Sequence, residues 1–170
     1  MTNRSTYENR DENIQKIRDL IKGIHIAMLT TTDPDGTLRS RPMGTQQVEF
    51  DGDLWFFTKG DSAKVHDVQH DQHVNVSYAS PGDQRYVSVS GMAQMVHDKA
   101  KAKELWNPLL KAWFPDGLED PELALLKVSV EQAEYWESPS GTVVRLVGFV
   151  RAVTTGKSEN LGHNEKINLK

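Results

Sequence analysis

Short runs that suit β-strands, separated by compact turn signals, constrain this chain more than any other feature. Residues 25–32 are β-branched or apolar, and Asp33-Pro34-Asp35-Gly36 behind them is a strong turn signal. A mixed stretch, 37–50, follows; Asp51-Gly52 then reads as a second hairpin turn leading into Asp53-Leu54-Trp55-Phe56-Phe57-Thr58. Residues 74–79 and 85–96 read as strands around Ser80-Pro81-Gly82-Asp83. Residues 127–137 and 142–153 read as the last two strands, joined by Ser138-Pro139-Ser140-Gly141. Six or seven strands at this spacing predict a mainly antiparallel β-barrel or sandwich with helical decoration, not alternating βαβ units.

Helical periodicity is confined to short places. Ile14, Ile17, Leu20, Ile21 and Ile24 are spaced like one helix face, with Gly23 placed to stop it. Lys59-Gly60-Asp61-Ser62 opens a short helix through His70, with Asp61 or Ser62 as N-cap. Asp98 caps a third pattern through Ala102, Leu105, Trp106, Leu109, Leu110, Trp113 and Phe114, which Pro108 should kink or split. Residues 120–125 suit one further helical turn. The resulting expectation is one domain over residues 1–153 and a loosely held polar tail over 154–170, where Leu161, Ile167 and Leu169 stand isolated.

Composition removes whole classes of chemistry. The chain has no cysteine, which excludes thiolate catalysis, iron–sulfur clusters and cysteine zinc sites. Lys and Arg total 20 against 24 Asp and Glu, and without a basic block the chain is a poor partner for nucleic acid. No apolar run is long enough to span a bilayer and the first residues are not signal-like, so a soluble cytoplasmic domain is expected. Neither a Gly-x-Ser-x-Gly elbow nor a glycine-rich dinucleotide or P-loop motif occurs.

His66-Asp67-Val68-Gln69-His70 imitates the two-histidine pattern of zinc proteases, but aspartate replaces the general-base glutamate and no third ligand follows at a recognisable spacing. It reads as a solvated helix face, and no metal site is expected. Two other segments suggest an anion site. Arg41 precedes Pro42, which cannot donate to a ladder and therefore belongs at a sheet edge, where the arginine fork can meet a phosphate or a polar ring. Thr58, Ser62 and Lys64 surround the start of a helix, whose positive dipole end favours an anion. A lysine in the first helical turn is the wrong sign for helix stability, which favours a bound anion there. Trp106, Trp113, Phe114, Tyr135 and Trp136 offer flat apolar surfaces; the first two suit core or a subunit interface, whereas Trp136 beside a turn is harder to assign to core.

These segments, in this order and spacing, resemble the flavin-binding split-barrel superfamily typified by pyridoxamine 5′-phosphate oxidase, most closely its bacterial general stress protein branch. The resemblance covers roughly residues 14–153 and rests on the opening strand and turn, Arg41-Pro42-Met43, Trp55-Phe56-Phe57-Thr58, Ser62-Ala63-Lys64, residues 74–78, residues 87–93 and Tyr135-Trp136. It implies a six-stranded antiparallel Greek-key split barrel acting as a homodimer, with FMN in clefts between subunits and FAD or a deazaflavin as alternatives. By position, Arg41 and Lys64 would hold the phosphate with Ser62 and Thr58. Pro42, Met43 and Phe57 would line the flavin, Trp136 would approach from the partner chain, and Tyr86 falls near a ring-contacting position.

The oxidase's arginine–leucine–histidine–aspartate–arginine run is replaced here by Glu137-Ser-Pro-Ser-Gly-Thr-Val-Val-Arg145, which argues against vitamin B6 oxidation. The expected function is an FMN-binding general stress protein, with flavin-dependent oxidoreductase activity on an unassigned small substrate. A non-enzymatic flavin carrier or redox sensor is the alternative, and pyridoxamine 5′-phosphate oxidase itself is disfavoured. No residue stands out as a catalytic acid or base.

Overall fold

A computed structural model describes residues 3–46, 49–138 and 163–170, with side chains from Asn9 onward. The strand expected over 142–153 lies outside the described residues, as do the turn residues 139–141. Helix α1 (Asn3–Ile21) is followed by β1 (Ile26–Thr32), β2 (Leu38–Gly44), β3 (Asp53–Lys59), α2 (Ala63–His70), β4 (His73–Ser80), β5 (Arg85–Val96), α3 (Lys99–Leu105), β6 (Leu123–Glu137) and β7 (His163–Asn168). No helix among the described residues is long and apolar enough to cross a membrane.

Among the described residues all strand pairs are antiparallel, in the order β2-β1-β4-β5-β6-β3 with β7 also on β6, and the sheet does not close. Strict alternation places Ala27, Leu29 and Thr31 of β1, Val74, Val76 and Tyr78 of β4, and Val87 and Val89 of β5 on the buried face. Ile14, Ile17 and Leu20 of α1 complete that core, which also takes Leu54 and Phe56 of β3 and Val128 and Tyr135 of β6. Gly23, at φ +78°, ends α1 in the left-handed conformation that glycine adopts at least cost. A smaller cluster of Ala102, Leu105 and Leu125, with Trp55 and Phe57 against it, lies under α3.

Strand β6 organises the rest. One edge pairs with β5 along Leu125–Glu137; the other takes β3 along Leu123–Ser129 and then β7 along Gln132–Glu137. A register shift falls between Ser90 and Gly91, where a Cβ on Gly91 would sit 2.2 Å from the Ser129 carbonyl oxygen, so only glycine permits this approach.

The pattern after Asp98 splits at Pro108 as expected, with α3 ending at Leu105 and a 3₁₀ turn at Pro108–Ala112. Three other expectations are corrected. Asp51-Gly52 is not a hairpin turn: β3 pairs with β6, about seventy residues further on, while β2 pairs with β1. Residues 123–125 are strand, because Leu123 and Leu125 pair with Lys59 and Phe57 on β3; the local turn is a 3₁₀ turn at Gly117–Glu119. Residues 163–168, read as part of a loose tail, form β7, and Ile167 and Leu169 are buried in the main core. Two apolar residues spaced by two suffice to seat a strand when an open ladder edge awaits them.

Candidate functional site

Alternation on the edge strand β2 turns Pro42 outward and Met43 into the core, and sends Arg41 to the inner face beside Thr31 of β1. The Arg41 guanidinium donates to the Thr31 hydroxyl from Nη1 at 2.7 Å and to Asp67 Oδ2 from Nη2 at 3.1 Å. The Thr31 hydroxyl donates to the same Asp67 oxygen at 2.8 Å. Asp67 and Thr31 are both buried, and the Arg41 side chain is mostly so.

Helix α2 supplies the second cation. Ser62 occupies the N-cap position, but its hydroxyl caps nothing. It lies instead 3.2 Å from the hydroxyl of buried Thr58, at the end of β3, and accepts from Lys64 Nζ at 3.3 Å. Lys64 is half-buried, and burial lowers its pKa, with the neighbouring Arg41 charge lowering it further. Among the described residues no carboxylate comes within ion-pair distance of Lys64. Among the described residues, Arg41 of β2, Lys64 of α2 and the hydroxyls of Thr58 and Ser62 thus gather with a single carboxylate, Asp67, and that one faces the arginine. Such a donor set suits an oxyanion.

The remaining expected residues are elsewhere. The Met43 side chain belongs to the main core. Phe57 packs edge-on against Trp106, with ring centroids 5.8 Å apart, and against Phe114 at 6.3 Å. Tyr86 and Trp136 are cross-strand partners on β5 and β6 and are exposed on the outer sheet face. Both rings stand on the outer face, whereas Arg41 turns inward to Thr31 and Asp67, so neither ring joins that hydrogen-bonded group within one chain.

The family model described as "Pyridoxamine 5'-phosphate oxidase like" matches residues 12–160. The chain belongs to that family. Protein bli-3 of Neurospora crassa is 33% identical over 157 residues, covering 86% of this chain and 75% of that protein. The solved general stress FMN/FAD binding protein of Xanthomonas citri is 31% identical, with a TM-score of 0.65 over 77% of this chain and 92% of its own. A general stress protein 26 from Jannaschia sp. shares the fold at a TM-score of 0.76 over 93% of this chain and 99% of its own, at 22% identity. The fold of this family member is thus the split barrel of the pyridoxamine 5′-phosphate oxidase-like proteins.

Within this family member, sequence reasoning missed Asp67 and Thr31. Asp67 was hidden inside the His66–His70 pattern, yet both histidines are exposed while Asp67 turns inward between Val65 and Val68. The available signal was electrostatic: an inward arginine requires a counter-charge, and the alternation of Ala27, Leu29 and Thr31 already sends Thr31 inward.

Proposed function

We propose that this chain is an FMN-binding protein of the general stress type, with the flavin phosphate held by Arg41, Thr58, Ser62 and Lys64. Lys64 carries the reading: it is a half-buried ammonium beside a guanidinium, with a hydroxyl but no carboxylate in reach among the described residues. A terminal phosphate, carrying close to two negative charges at neutral pH, supplies the charge this pair lacks. One compact group of two cations favours a monophosphate over the diphosphate of FAD or the singly charged phosphodiester of a deazaflavin. The Xanthomonas citri relative, named for FMN/FAD binding, supports a flavin as the ligand.

The flavin would bring two-electron chemistry, and the chain's share is binding, orientation and exclusion of water. The backbone at Pro42, Met43 and Phe57 would line the ring, since two of those side chains are committed to packing. We further propose a homodimer formed through the outer sheet face, where Ile26, Met28, Tyr86 and Trp136 are exposed together. Tyr86 and Trp136 would then meet the flavin of a second subunit.

The test compares FMN with riboflavin by fluorescence quenching. Arg41→Ala should weaken FMN at least tenfold and leave riboflavin nearly unchanged; equal losses for both would refute the phosphate assignment. Sedimentation should give a dimer, and a monomer that binds FMN tightly would refute the shared cleft. Anaerobic NADPH or NADH should bleach the bound flavin if the protein is an oxidoreductase, and a persistent yellow colour would point to a carrier.

A further inference from the structure

We propose that Asp67 is a positioning residue of the phosphate site: with the Thr31 hydroxyl, its carboxylate holds the Arg41 guanidinium in place beside Lys64, ready for the anion. This rests on the FMN reading above. The three side chains close a ring of hydrogen bonds, from Arg41 Nη1 to Thr31, from Thr31 to Asp67, and from Arg41 Nη2 to Asp67. Two of the five guanidinium N–H groups are committed in this way and three stay available. Without the ring, a long flexible side chain on an edge strand would swing away from the like charge of Lys64 and lose orientation.

The placement is economical in elements. Asp67 stands three residues after Lys64 on α2, so one short helix carries both the phosphate lysine and the anchor of the arginine on β2. Asp67 balances Arg41 and, among the described residues, leaves Lys64 without a carboxylate, so this group keeps one net positive charge for the ligand. Stability alone gives little reason for the pair, since a buried ion pair is often no better than an apolar contact of the same volume.

The experiment titrates FMN and riboflavin into wild type, Asp67→Ala, Asp67→Asn and Thr31→Val, with thermal unfolding of each. Asp67→Ala should raise the FMN Kd roughly ten- to hundredfold and leave riboflavin within about twofold. Asp67→Asn, whose carbonyl oxygen still accepts both bonds, should retain FMN within about threefold. Thr31→Val should show the same FMN-selective loss as Asp67→Ala, which keeps the test decisive if the alanine variant does not fold. Tighter FMN binding in both Asp67 variants would overturn the proposal and make Asp67 a competing negative charge. Equal loss of FMN and riboflavin would reduce it to a structural role. A wild type that does not prefer FMN over riboflavin would refute the phosphate site itself, and the positioning role with it.

Discussion

Lys64→Met should stabilise the flavin-free protein and destabilise the flavin-loaded one. Methionine keeps the apolar stem in its half-buried setting and removes an ammonium that meets the Ser62 hydroxyl and the repulsive Arg41 charge. Relief of one solvent-screened like-charge contact is worth about 1 kcal/mol, or roughly 2–4 °C in Tm for a chain of this size. Loss of one charge-assisted contact to phosphate should weaken FMN about thirtyfold. At FMN one hundred times the wild-type Kd, ligand adds about 2.7 kcal/mol to wild type and about 0.9 to the variant. The order of Tm values therefore reverses on adding FMN, with wild type ahead by about 1 kcal/mol. The pH dependence carries the same sign. Lys64 has a folded-state pKa below the ordinary 10.5, so the unfolded chain binds more protons in the window between the two values. Flavin-free wild type should gain stability as pH rises through that window, and Lys64→Met should lack this increment. Differential scanning fluorimetry with and without FMN measures both. A flavin-free variant less stable than wild type, or no reversal with FMN, would refute the uncompensated cation.

Two further predictions concern the frame that holds the site. Gly91→Ala should destabilise by about 3 kcal/mol or more, because its Cβ meets backbone at 2.2, 3.0 and 3.1 Å and β5 and β6 must part; a urea midpoint close to wild type would contradict that approach. Ile167→Ala should cost about 2–4 kcal/mol, as expected of a core residue, and a change below about 0.5 kcal/mol would detach the chain end from the fold.

What was legible in the chain was local. The Asp33–Gly36 turn, the stop at Gly23 and the split at Pro108 each depend on a few neighbouring residues, and each appears in the structure. Pairing across the sheet was not legible. The partner of β3 lies on β6, and nothing near Asp51-Gly52 distinguishes a hairpin from a departure to a distant strand. Ile167 and Leu169 looked isolated because the edge that receives them is formed by Gln132–Glu137. Within the candidate site, the residue types of Arg41, Thr58, Ser62 and Lys64 are legible in the sequence, and the structure sets Thr58 and Lys64 against Ser62 and the Arg41 charge near Lys64. Asp67 escaped because a helix of eight residues is too short for periodicity to separate its buried side from its wet one.

The shared edge of β6 has a consequence for biosynthesis. Without residues 163–168, the ladder positions along Gln132–Glu137 on that side lose the strand that pairs with them. A nascent chain stalled short of His163 would lack β7, and the amide and carbonyl groups beside Ala133 and Tyr135 that β7 pairs with would be open to adhesion to another copy.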